Sequence, residues 1–168
     1  MSPPRILAIR GGAIGDFVLT LPALKLLREG FPECKLELLG YPHILALAHG
    51  RFYADTIRSI EGAAMAGFFA RHGILDPDLS AYFASFQQVI SWLYDPDGIF
   101  RENLTRAGVR HLLSINPVVD DQNHAAVQLA APLQKLALFL DDPAAWLYPS
   151  VEDFAVAEEL LASIPGGV

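Results

Sequence analysis

The sequence predicts an α/β protein, a Rossmann-like parallel sheet with helices on both faces. Three observations point there. Short apolar runs of strand length alternate with segments of helical periodicity. The first run empties into a cluster of glycines, the turn by which such sheets pass from strand to helix. Of the 168 residues, 52% are hydrophobic and only 18% charged, so the chain can cover both faces of a sheet.

The elements follow in order. Arg5–Arg10 reads as a buried strand, and Gly11–Gly15 as a tight turn. From Asp16 to Glu29 the apolar residues Phe17, Val18, Leu21, Leu24 and Leu27 fall at helical spacing. Pro22 predicts a kink or a late start there, and Gly30 and Pro32 end the helix. Lys35–Gly40 is the second strand, 42–49 a short helix, 55–60 a third strand and 62–71 a third helix. A helical turn is expected over 80–86, a fourth strand over 87–93 and a turn at Asp95–Gly98. A helix over 99–107 and a fifth strand over 109–115 follow. Residues 123–140 read as one long helix broken only by Pro132, and 151–163 as another with Glu152 and Asp153 in its first turn. These elements divide the chain into a sheet domain over 1–150 and a helix with the start of a linker over 151–168, where Pro165-Gly166-Gly167 has linker composition.

Composition excludes several classes of function. A net charge of −7 argues against nucleic acid, which needs clustered Lys and Arg. The single cysteine, Cys34, allows neither an intrachain disulfide nor a Cys-rich metal site, and suits a reducing cytoplasm. Met1–Arg10, interrupted by Pro3 and Pro4, does not read as a signal peptide. The apolar stretch Phe17–Leu27 falls short of the ~20 residues that cross a bilayer, so a cytoplasmic location is expected, with room for peripheral contact at the inner membrane.

The glycine turn invites a dinucleotide reading, and the residues oppose it. Gly12 and Gly15 fit the second and third glycines of G-x-G-x-x-G, but Arg10 stands at the first. The ribose-binding acid expected at the end of the second strand is replaced by Gly40, and Glu37 comes too early. There is no phosphate-binding P-loop motif either. The turn nevertheless sits where open α/β sheets place ligands, and glycines let a ligand approach the backbone. Asp16 follows directly. It reads as a helix N-cap, as a carboxylate presented to a cleft where it can accept a proton from a hydroxyl, or as both, since a cap also fixes the side chain's direction. Leu19 stands three residues later, so no capping box decides for the first.

The opening Ile6–Arg28, with Gly15-Asp16, Thr20-Leu21-Pro22-Ala23-Leu24 and Leu27-Arg28, resembles the start of glycosyltransferase family 9, which includes the ADP-heptose:lipopolysaccharide heptosyltransferases. Phe31-Pro32, Leu36–Gly40 and His124 with its following helix extend the resemblance. It implies the acceptor-binding N-terminal half of a two-lobed GT-B enzyme. The donor-binding half would come after Val168, and this half alone would be inactive. It further implies transfer of a sugar, heptose by analogy, from a nucleotide-sugar to a lipopolysaccharide-type glycan or glycolipid acceptor, with inversion and without metal or cofactor. Asp16 matches the family's general base. Gly11, Gly12, Ala13, Ile14, Gly15, Thr20 and Arg71 are the expected substrate-binding residues. The competing expectation is a flavodoxin-like module that binds a ligand or protein without chemistry.

Other candidates read mainly as structure. Asp76-Pro77-Asp78 and Asp95-Pro96-Asp97 are turn chemistry before they are metal ligands. Asp120 and Asp121 read as solvated, or as a cap for the helix at Asn123. Arg58, Arg71 and His72 are cations an anionic acceptor could use, or ordinary surface charges. His43, His49, His111 and His124 lack ligand spacing. The aromatic stretch Phe68, Phe69, Tyr82, Phe83 and Phe86 is core, domain interface or membrane contact.

Overall fold

A computed structural model describes residues 3–164; the Pro165–Val168 linker expectation lies outside them. Five strands, β1 (Arg5–Arg10), β2 (Lys35–Gly40), β3 (Thr56–Ser59), β4 (Gln88–Ser91) and β5 (Leu112–Ser114), form one parallel sheet in the order β3-β2-β1-β4-β5. The predicted fold class holds: this is a Rossmann-like sheet with helices on both faces.

Alternation along β1 explains why both faces are covered. Ile6 and Ala8 point into one core, with Phe17, Leu21, Leu24 and Leu27 of α1 (Ile14–Gly30) and Leu129 of α5 (Ala125–Ala130). Leu7 and Ile9 point into the other, with Leu79 and Phe83 of α3 (Pro77–Ala84) and Phe100 and Leu104 of α4 (Ile99–Arg106). A strand buried on both faces must be apolar along its buried stretch, and β1 is so from Ile6 to Ile9, between Arg5 and Arg10.

Several boundaries move, each for a physical reason. The first helix begins at Ile14, two residues early, and runs through Pro22 to Gly30. An interior proline costs about 3 kcal/mol. Burying four large side chains of α1, each contributing about 1.5–3 kcal/mol, outweighs it. The helix expected over 42–49 shortens to α2 (Pro42–Leu45). The segment at 62–71 is a 3-10 helix, Ala63–Phe69. The single helix expected over 123–140 is α5 followed by a 3-10 turn, Ala131–Leu136, which ends where Ala137 enters the left-handed region at φ 59°. Residues 138–150 then run on without regular structure to α6 (Val151–Ala162).

No residue of α6 is buried, and Val151, Phe154, Leu160 and Leu161 all face outward. The Arg51 guanidinium ties the helix down through both oxygens of Asp153, at 2.6–2.9 Å. Asp153 also accepts the Ser150 N–H, completing a capping box. Among the described residues, no helix is long and apolar enough to cross a membrane.

Candidate functional site

Reading outward from the sheet centre, strand order reverses between β1 and β4. Strands leave this point in opposite directions, and the loops beyond their carboxyl ends part to leave a crevice. The glycine turn after β1 forms one wall of that crevice, and the segment after β4 forms the opposite one.

On the first wall, Gly12 adopts φ +94°, a conformation glycine takes without penalty. Ala13 is the helix N-cap and has no side-chain acceptor to offer. Asp16 is therefore not the N-cap. It sits one turn into α1, where Oδ2 accepts the Ala13 N–H at 2.9 Å, the acidic half of a capping box. Its side chain is 50% exposed. Gly11, Gly12 and Asp16 line a cavity of about 260 Å³, faced by Leu93, Tyr94 and Val118. The N-cap alternative is thus corrected: Asp16 faces the groove and braces the turn from the first turn of the helix.

Beneath Asp16 lies Arg10, 8% exposed. Its Nε donates to Thr20 Oγ1 at 3.0 Å, Nη1 to the Trp92 carbonyl at 3.0 Å and Nη2 to the Asp16 carbonyl at 3.3 Å. Nη2 also stands 3.6 Å from Asp16 Oδ1. Burial pulls the guanidinium pKa below its ordinary value, and the Asp16 carboxylate opposes that shift. From sequence, Arg10 registered only as a glycine missing from the dinucleotide fingerprint. The signal available was a charged residue ending an otherwise apolar strand.

A second cavity, about 480 Å³, shares Leu93, Tyr94 and Val118 with the first and continues past the ends of β4 and β5. Its polar lining includes Asp95, Arg101, Ser114 and Asn116. Sequence reading weighed Asp95 only as turn chemistry or a metal ligand and did not single out Arg101, Ser114 or Asn116. The rule that ligands sit beyond strand carboxyl ends points to them once strand order is known.

The remaining expected site residues divide. Ala13, Ile14 and Gly15 are exposed on the first turn of α1, and a methyl group on Gly15 would meet nothing within 4 Å. Thr20 does not reach the groove: it is fully buried, accepting from Arg10 and donating to the Asp16 carbonyl at 2.8 Å. The structure thus places the Thr20 hydroxyl against Arg10 and the Asp16 backbone, away from the groove where substrate contact was expected. Arg71 is exposed and lines neither cavity. Arg58 lies over the Tyr82 ring, 4.1 Å from its centroid.

Structural explanations account for several of the other candidates. Asp76 caps α3 by accepting the Leu79 N–H, and Asp95 accepts the N–H groups of Phe100 and Arg101 at the start of α4. His124, not Asp120, Asp121 or Asn123, caps α5, its Nδ1 accepting the Ala126 N–H. Glu37, too early for a ribose, pairs with Arg5 at 2.9 Å and accepts the Tyr82 hydroxyl. Burial, then that bond, push the Tyr82 phenol upward. Phe68, Phe83 and Phe86 are core, and Phe69 stacks on Phe100.

Searches by sequence against protein-family models and curated proteins found no match. Solved structures do match. A glycosyl transferase family 9 structure from Veillonella parvula superposes with a TM-score of 0.66 at 15% identity, covering 97% of this chain and 50% of that one. E. coli heptosyltransferase WaaC with ADP-2-deoxy-2-fluoro heptose gives 0.54 at 14% identity, covering 96% of this chain and 55% of that one. The same enzyme with ADP gives 0.52 at 14% identity, with coverages of 96% and 54%. At these identities the likeness is one of fold, and the chain spans about half the length of each structure.

Proposed function

We propose that this chain is the acceptor-side domain of a GT-B glycosyltransferase of the family 9 type, with Asp16 as general base. The observation that carries the reading is the position of the Asp16 carboxylate: half-exposed, at the topological switch point, in a groove with room for a sugar. The fold shared with half of a family 9 structure and with half of a heptosyltransferase supports it.

In this reading the acceptor lies in the two joined cavities with one hydroxyl on Asp16. As that oxygen attacks the anomeric carbon of a nucleotide-sugar, its proton passes to Asp16. The bond from the anomeric carbon to the diphosphate breaks with its electron pair leaving on the diphosphate, and the configuration inverts. Protein groups of a donor-binding half meet the charge of the departing diphosphate, so no metal enters the step, and this domain alone does not complete it. Heptose is the proposed sugar and a lipopolysaccharide-type glycan the acceptor, with access from the inner-membrane surface.

The test is Asp16→Asn in a protein carrying both halves. Turnover should fall by ~100-fold or more with the acceptor still bound. A near-normal rate would return Asp16 to the role of helix cap.

A further inference from the structure

Arg10 is expensive to bury, and nothing in the fold of the sheet requires a cation there. The structure meets the cost by engaging every arm of the guanidinium. One arm reaches across the switch point to the Trp92 carbonyl, where the chain leaves β4. Another meets Thr20 on the second turn of α1. The third touches both the carbonyl and the carboxylate of Asp16. Thr20 closes the circuit by donating to the same Asp16 carbonyl. The two walls of the groove are thereby joined at its floor, which Arg10 itself helps to line, by one planar group.

The geometry points to Arg10 as the positioning residue of this site: its buried guanidinium locks the first turns of α1 against the exit of β4, and so fixes where the Asp16 carboxylate stands in the groove. Asp16 needs such a device. It follows a glycine turn with little stiffness of its own, and its carboxylate has one hydrogen bond, from Ala13. A side chain held to within about 0.5 Å requires a supporting shell with fixed partners. Arginine suits the task because its fork serves several acceptors in fixed directions, which a single ammonium cannot. Thr20 is the second member of the shell. The positioning stands on geometry alone, whereas its kinetic consequence rests on the reading of Asp16 as base.

The test uses Arg10→Met, Arg10→Lys and Thr20→Val in the 168-residue chain. Side-chain couplings of Asp16 should report one rotamer in the parent and averaging in Arg10→Met and Thr20→Val, with Arg10→Lys between. Exchange of the Ala13 amide should accelerate by about tenfold, as expected for a lost hydrogen bond. If Arg10→Met does not fold, Thr20→Val, which keeps shape and charge, decides. A folded variant with Asp16 in one rotamer and Ala13 unchanged overturns the proposal. In a protein with both halves, Arg10→Lys and Thr20→Val should lower kcat by about 10- to 100-fold and leave the acceptor KM within about twofold. Stability loss with unchanged kcat would make Arg10 a core filler and refute it. Normal turnover in Asp16→Asn would remove the base reading, while the rotamer and exchange data would still judge Arg10.

Discussion

A methyl group on Gly12 would stand 2.7 Å from Oδ2 of Asp16, with Gly12 itself at φ +94°. Shape and backbone conformation therefore agree at this position: only glycine leaves the carboxylate where Ala13 can hold it.

Gly12→Ala follows from that contact. A non-glycine residue at this φ costs about 1–3 kcal/mol, and the added carbon also pushes the Asp16 carboxylate off Ala13. Denaturant unfolding should show a loss in that range, and Asp16 should leave its groove-facing rotamer. Unchanged stability would mean that the turn is softer than its geometry implies.

Arg28 at the far end of α1 is predicted to be a stability residue. It donates to the carbonyls of Cys34, Phe52 and Tyr53 and to Asp55 Oδ2 at 2.8 Å, pinning the helix to the approach to β3. Arg28→Met should destabilise by about 2–4 kcal/mol, because it leaves those acceptors without a donor. Burial pushes the Asp55 carboxyl up, but bonds from Arg28 and the Leu36 N–H outweigh it and the net shift is downward. In the variant, Asp55 should titrate at higher pH. A loss well under 1 kcal/mol would show that water replaces the guanidinium.

Ala137 offers a gain. It holds φ 59° at the end of the 3-10 turn, donating to the Gln134 carbonyl. Alanine loses about 1–2 kcal/mol in this region, whereas glycine adds about 0.4–1 kcal/mol of unfolded-state entropy. Ala137→Gly should therefore stabilise by about 0.5 kcal/mol, read as a higher denaturation midpoint. A lower midpoint would contradict this.

The hold on α6 should depend on pH. Hydrogen bonds from Arg51 first, then from the Ser150 N–H, keep the Asp153 carboxyl below the usual aspartate range. For an acid whose folded pKa is depressed, the contribution is present above the unfolded value and lost as pH falls through the folded one. α6 has no buried side chain to hold it otherwise. The protection factors of its amides should be high at neutral pH and fall as the pH drops below the ordinary aspartate range and through the depressed Asp153 value. Asp153→Asn should show the acid behaviour at neutral pH. Equal protection across the range would show that α6 is held by something other than this pair.

Much of the fold was legible in the residues because its causes are local or periodic. Alternating burial makes Ile6, Leu7, Ala8 and Ile9 one apolar run, and the spacing of Phe17, Leu21, Leu24 and Leu27 marks the helix that covers them. Asp16 stood out for the same reason, next to a glycine turn after the first strand. Errors fell where a distant contact outweighs local preference. Pro22 sits inside α1 because core burial exceeds its cost. The run at 123–140 leaves the α-helix at Ala130, just ahead of Pro132, and its 3-10 continuation stops where Ala137 turns left-handed, which nothing in its periodicity marks.

By itself the sequence determined the order in which strands and helices alternate, and that a carboxylate follows the glycine turn. Only the tertiary structure decided what that carboxylate faces. Side-chain pattern encodes the face on which a residue is buried, but it does not encode which strands become neighbours. Pairing β1 with β4 is what sets Leu93, Tyr94 and Arg101 around the groove, places Trp92 within reach of Arg10, and leaves Arg71 outside both cavities.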